Sequence, residues 1–228
     1  MHKLSIIIPC YNEARTIEEI LARLAVADMR AWKKEIIVVD DASRDGTRDI
    51  LKKYEDTVRV IYCDTNGGKG TAVRRGLQEA TGEYVLIQDA DLEYNPADIH
   101  TLISMIDTGV ADVVYGSRAL SSLTKRGGTI ARIGVWSITK LINFLYNLRL
   151  TDVWTCYKLF PRAAAVDFVA GRFESELLFT AALARRKYRF IEVPISYAPR
   201  LVSEGKKIRY RDGIYAIMVI VTDWFQHL

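Results

Sequence analysis

A mostly parallel α/β sheet of Rossmann-like type, flanked by helices, is predicted for this chain by three observations. Over residues 1–118, short apolar runs of strand length alternate with stretches of helical period. These runs end in polar or glycine-rich segments rather than hairpin turns, as strands joined by helical crossovers do. The length of 228 residues, half of them apolar, suits one domain.

The elements follow in order. Residues 4–9 form an apolar strand, and 14–24 carry apolar side chains at 17, 20, 21 and 24, a helical spacing. A second strand at 35–39 ends in Asp40-Asp41, and the turn residues 43–47 lead into a helix over 47–54. Strand 58–62 is followed by Asn66-Gly67-Gly68-Lys69-Gly70, which opens a helix over 71–80. Strand 84–88 runs into Asp89-Ala90-Asp91, Pro96 starts a helix to about 107, and strand 113–115 ends in Gly116-Ser117-Arg118.

The remainder reads differently. Residues 121–128 form a polar, glycine-containing loop suited to a lid. The helix predicted over 129–150 has a narrow polar stripe of Arg132, Thr139, Lys140, Asn143 and Asn147, and a broad apolar face that packs in a core or lies in a membrane interface. A helix over 173–184, a strand over 190–194, a basic loop over 200–209 and a last helix containing the apolar run 214–221 complete the chain. Trp224-Phe225 at its end suits an interfacial anchor.

Charge is unevenly spread. The net +4 combines two basic segments, 113–151 with +6 and 185–211 with +7, against −9 on the rest. Basic segments meet phosphates, nucleic acid or anionic lipid. A platform of stacking aromatics is lacking, so nucleic acid is not expected as a partner. Cys10, Cys63 and Cys156 lack metal-ligand spacing and read as thiols of a reducing compartment. The start of the chain is too short in apolar residues for a signal peptide, and no apolar run approaches the ~18 residues needed to span a bilayer.

Chemistry is expected at the carboxyl ends of the strands, where open α/β sheets bind ligands. Asp89 and Asp91 either hold a hard divalent cation that clamps a diphosphate or form a polar turn capping the next helix. Lys69 sits in a Gly-rich turn without Walker A spacing, and no Gly-x-Gly-x-x-Gly follows the first strand, which argues against a dinucleotide cofactor. His2, His100 and His227 are scattered and support no Ser/His/Asp or metal array.

Five motifs occur in order: Ile-Ile-Ile-Pro-Cys-Tyr-Asn-Glu (6–13), Val-Val-Asp-Asp-Ala-Ser-Arg-Asp-Gly-Thr (38–47), Asn-Gly-Gly-Lys-Gly (66–70), Gln-Asp-Ala-Asp-Leu-Glu (88–93) and Val-Val-Tyr-Gly-Ser-Arg (113–118). In this set the chain resembles family 2 glycosyltransferases of GT-A fold, in the subgroup of polyprenyl-phosphate (dolichyl-phosphate) hexose synthases. The resemblance implies a single domain with a nucleotide-sugar half at 1–118 and an acceptor and membrane-facing half at 119–228. It implies that Pro9, Tyr11, Asn12, Glu13, Val39 and Asp41 cradle base and ribose, with Lys69, Ala90, Arg200 and Lys206 also on the donor. Asp89, Asp91 and Glu93 are implied as ligands of Mg²⁺ or Mn²⁺, although many relatives have Gln in place of Glu93.

By the same resemblance Asp91 and Arg118 act in catalysis, and Arg132 and Lys158 meet the acceptor phosphate. The segment 152–158 departs from the Ser-Gly-Phe-Arg form of many mannosyl relatives, which leaves GDP-mannose and UDP-glucose types of donor both open. The implied reaction is an inverting transfer of a hexose to polyprenyl phosphate, by a peripheral protein on the cytoplasmic membrane face. A soluble saccharide acceptor and a non-catalytic binding subunit are the alternatives.

Overall fold

The computed structural model describes residues 1–121, 129–200 and 210–227. The expected lid at 121–128 and most of the basic loop at 200–209 therefore lie outside the described residues, apart from Ser121 and Arg200.

Strand β1 (Lys3–Cys10) is the hub of a seven-stranded sheet in the order β3-β2-β1-β4-β6-β5-β7. It pairs in parallel with β2 (Lys33–Asp40) and β4 (Tyr84–Ile87), and β2 pairs in parallel with β3 (Arg59–Tyr62). Beyond β4 the direction reverses. Strand β6 (Lys158–Pro161) runs antiparallel to both β4 and β5 (Val113–Ser117), and β7 (Phe190–Pro194) returns parallel to β5. The sheet is thus mostly parallel, as expected, with one reversed strand that the periodicity did not announce.

Alternation along the strands sorts the core into two layers. Ile6 and Ile8 face the layer of α1 (Ile17–Val26) and α4 (Ile99–Asp107), while Ile7 faces that of α3 (Lys69–Glu79), α5 (Thr129–Tyr146), α6 (Glu174–Arg185) and α7 (Tyr210–Gln226). Gly76 lets α3 lie flat on the sheet: a Cβ there would come within 2.6 Å of Ile7 Cγ2. The helix expected at 47–54 is an α-helical turn, α2 (Thr47–Leu51), continued by a 3₁₀ turn.

Helix α5 ends at Tyr146, four residues before its expected end, because Asn143 turns inward. Its side chain donates to Leu150 O at 2.7 Å and accepts from Leu150 N at 3.0 Å, tying down the following loop. Thr139 is buried and Asn143 half-buried, so two members of the expected polar stripe turn toward the interior. The apolar residues divide between core and surface. Ile138 and Ile142 are buried, as are Ala216 and Ile220 on α7. Ile133, Trp136 and Phe144 on α5, and Tyr215, Met218 and Phe225 on α7, are exposed. The helices are joined by Trp224 Nε1 donating to Leu145 O at 3.1 Å and by Tyr146 donating to Asp223 at 2.8 Å.

At the amino-terminal ends of the strands Glu35 bridges β1, β2 and the turn before β4. It accepts from Ser5 Oγ at 2.6 Å, Lys3 Nζ at 2.9 Å and Thr81 N at 2.9 Å. Burial pushes its carboxyl up, but these donors outweigh it and hold the group at about 2. Because the folded value lies below the ordinary 4.5, the stabilisation is present above pH 4.5 and lost as pH falls toward 2. Glu35→Gln is expected to cost about 2 kcal/mol at neutral pH and nearly nothing near pH 2. Urea unfolding of both proteins across that range measures the convergence.

Candidate functional site

A cleft of about 340 Å³ opens at the carboxyl ends of β1, β2 and β4. Its wall is built element by element. Pro9, Tyr11 and Glu13 come from the end of β1 and the loop after it, Asp41 from the end of β2 and Lys69 from the first turn of α3. The loop after β4 supplies Asp89, Ala90, Asp91 and Glu93, and Arg118 and Arg200 close the far side. The sequence-derived residues thus largely converge on one place.

Asp41 organises the Gly-rich turn. Its two carboxylate oxygens accept from Gly67 N and Gly68 N, each at 2.8 Å. Gly68 has a φ of +86° and packs under Arg172, whose Cγ lies 2.9 Å from where a Cβ would stand. Only glycine fits this combination of backbone and close approach.

The acidic end is dense. Arg200 donates from Nη2 to Asp91 Oδ2 at 2.6 Å and from Nη1 to Glu13 Oε2 at 3.1 Å, and its backbone N donates to Glu93 Oε1 at 2.8 Å. Tyr197 donates to the other oxygen of Glu93 at 2.7 Å. Burial pushes the Asp91 carboxyl up to about 7, reinforced by the negative charges of Asp89 and Glu93 and only partly offset by Arg200. On Asp89, Oδ1 faces Lys69 Nζ at 2.5 Å.

These carboxylates offer hard oxygen donors in negative surplus, the chemistry a divalent cation of the Mg²⁺ or Mn²⁺ class takes. Among the described residues, however, no three of them are grouped as a preformed cage, and Lys69 and Arg200 hold the positions facing Asp89 and Asp91.

Arg118 is held by its neighbours. Its guanidinium forms a fork on Asp152, Nε to Oδ2 at 2.6 Å and Nη2 to Oδ1 at 2.7 Å, and stacks 5.1 Å from the centre of the Tyr197 ring. Asp152 was not singled out from the sequence, although it opens a motif that was.

Three expected residues do not face the cleft. The Val39 side chain is buried in the core layer beneath α3. Asn12, at φ 54°, accepts from Arg44 N at 2.8 Å and stitches two loops together. Lys158, expected to meet an acceptor phosphate, is fully buried and donates instead to Thr155 O at 2.6 Å and Glu176 at 2.9 Å. Lys206 and the side chain of Arg132 lie outside the described residues.

Sequence reasoning missed Glu176, Cys156, Trp154, Arg172 and Tyr197, all of which line the cleft. The signal for Glu176 was an acid directly beside the apolar run Leu177-Leu178-Phe179, where a buried charge demands a partner. Arg172 differs from the other lining cations: among the described residues its guanidinium faces no carboxylate partner, whereas Lys69, Arg118 and Arg200 are all ion-paired.

The sequence model described as Glycosyl transferase family 2 matches residues 5–168. Over 120 residues the chain is 40% identical to a dolichol-phosphate mannosyltransferase of Pyrococcus furiosus, a match covering 51% of this chain and 33% of that protein. Over 213 residues it is 26% identical to an undecaprenyl-phosphate 4-deoxy-4-formamido-L-arabinose transferase of Pseudomonas fluorescens, covering 90% of this chain and 60% of the relative. The chain therefore spans only 33% and 60% of the length of these curated relatives. Among solved structures, glucosyl-3-phosphoglycerate synthase from Mycobacterium tuberculosis, in complex with uridine diphosphate, has the same fold. Its TM-score is 0.74 at 17% identity, over 98% of this chain and 80% of that one.

The Arg118–Asp152 fork carries a stability prediction. Asp152→Ala leaves a guanidinium in a mostly buried position without its carboxylate, which is expected to cost about 3–5 kcal/mol in chemical denaturation. Arg118→Met combined with Asp152→Leu, which removes both charges together, is expected to recover most of that loss.

Proposed function

This chain belongs to glycosyl transferase family 2, and on that premise we propose that it transfers a hexose from a nucleotide sugar to a polyprenyl phosphate. The observation that carries the donor half is the meeting of Asp89 and Asp91 with the Asp41-bound Gly67–Gly68 turn in one cleft. The dipole at the N-terminal end of α3 favours an anionic ligand, and Pro9, Tyr11 and Glu13 border the same cleft. The acceptor half is supported by the relatives named for transfer to dolichol and undecaprenyl phosphates.

The chemistry asks little of the protein as acid or base. A lipid phosphate is already anionic at neutral pH, so attack on the anomeric carbon needs positioning and stabilisation of the departing diphosphate. A divalent cation of the Mg²⁺ or Mn²⁺ class, held by Asp89 and Asp91 with Glu93 nearby, would supply charge neutralisation on that diphosphate. Arg200, paired with Asp91 and lining the same cleft, would stand within reach of phosphate as well. Arg172, with no acid partner among the described residues, is ready for phosphate without any exchange. Attack opposite the leaving group gives inversion.

Membrane access belongs to the same reading. Among the described residues, no helix is long and apolar enough to cross a membrane. For meeting a lipid tail at a surface, the exposed Trp136 and Phe144 of α5 and Met218 and Phe225 of α7 are suited. The basic side chains Lys125, Arg126, Arg209 and Arg211, expected on anionic headgroups, lie outside the described residues.

Two measurements test this reading. The protein with added Mn²⁺, a panel of GDP- and UDP-sugars and polyprenyl phosphate is expected to form a lipid-linked hexose. Asp91→Asn is expected to fold normally, since it removes one of several crowded charges, yet to lose transfer by roughly 100-fold or more. Near-full activity of Asp91→Asn, or transfer to soluble saccharides alone, overturns the proposal.

In the second measurement, wild type is expected to sediment with anionic vesicles, in part reversibly with salt. Phe144→Asp with Met218→Asp is expected to reduce that sedimentation strongly while leaving thermal stability unchanged. Absence of vesicle binding by wild type moves the soluble acceptor to the front.

A further inference from the structure

Four alternating charges run from the interior of the sheet to the cleft. Lys158, with no exposed surface, donates to Glu176 Oε2 at 2.9 Å. The other oxygen of Glu176 meets Lys69 Nζ at 2.8 Å, and Lys69 meets Asp89 Oδ1 at 2.5 Å. The Lys69 ammonium also donates to Cys156 Sγ at 2.8 Å, so its three donors all have acceptors and it has one orientation. The second end of the relay is equally fixed: Lys158 donates to Thr155 O and lies 5.3 Å from the centre of the Tyr115 ring.

An ion pair this deep is a poor way to stabilise a fold, since two apolar residues of similar volume serve as well or better. A buried pair that is linked through Lys69 to a carboxylate of the cleft is better accounted for by what it holds. We infer that Lys158 and Glu176 are positioning residues: through Lys69 they fix the Asp89 carboxylate in the orientation in which it serves the donor site. Lys69 is then a strut in the site floor, and its charge is already committed before a diphosphate arrives. Lys158 acts at a distance from phosphate altogether.

This inference rests on the donor-site reading of the cleft, and its test separates the two. Lys158→Met with Glu176→Leu removes both buried charges at once and leaves Lys69 with Asp89 and Cys156. Three readouts apply to the full chain. Reductive methylation followed by mass spectrometry reports the reactivity of Lys69, which is expected to be slow in wild type and to rise about tenfold or more in the double variant. Mn²⁺ affinity in the presence of UDP or GDP, read from the free-ion paramagnetic resonance signal, is expected to fall roughly 10- to 100-fold, the usual cost of losing a supporting partner. Turnover is expected to fall with it.

Should the double variant not fold, Glu176→Gln, which keeps shape and one acceptor, is expected to show the same changes at smaller size. Unchanged Lys69 reactivity overturns the relay. A freed Lys69 with wild-type Mn²⁺ affinity and turnover also overturns it, since the strut then positions nothing. If wild type binds neither nucleotide nor Mn²⁺, the donor-site reading fails, and the Lys69 labelling still decides whether the buried pair holds that lysine.

Discussion

Glu13, Asp89, Asp91, Glu93 and Glu176 all border one cleft, and five carboxylates at that density must be neutralised if the sheet edge is to hold its shape. The protein meets this with cations brought from distant parts of the chain. Lys69 comes from the start of α3, Lys158 from the reversed strand and Arg200 from the segment after β7. Burial, joined by the neighbouring charges of Asp89 and Glu93, still holds the Asp91 carboxyl up at about 7. Carboxylates crowded in this way favour an added cation.

The parallel half of the fold was legible because each of its strands obeys one local rule. An apolar run such as Ile6-Ile7-Ile8 is buried on both faces, and its polar ending lands where ligands are expected. Strand β6 was not legible. It has only four residues, and its direction is imposed by its neighbours β4 and β5 rather than by any pattern of its own. The polar stripe of α5 misled for a related reason. Asn143 is polar in order to bond the backbone of Leu150, which is a tertiary task that periodicity cannot distinguish from solvation.

The site was legible in its types and less so in its partners. Asp89, Asp91, Arg118 and Arg200 were each singled out and each borders the cleft. What the sequence could not reveal was pairing across the chain: Arg118 with Asp152, Lys69 with Glu176, and Arg200 with three acids of two separate loops. Lys158 shows the cost of reading residue type alone. A lysine inside a functional motif suggests phosphate, but full burial makes phosphate contact from that side chain impossible.

Because β6 runs against its neighbours, its beginning, rather than its end, lies at the cleft edge of the sheet. The segment that carries Trp154 and Cys156 therefore reaches the cleft at the start of a strand, whereas the turns after β1, β2 and β4 reach it at strand ends. It is anchored at one end by Thr151 and Asp152 on Glu192 and at the other by the sheet itself. The segment is also tied to the far side of the cleft, since Cys156 accepts from Lys69 and Asp152 holds Arg118. Reversal of one short strand thus welds the second half of the chain to the loops of the first, and a side-chain change there is felt across the whole cleft.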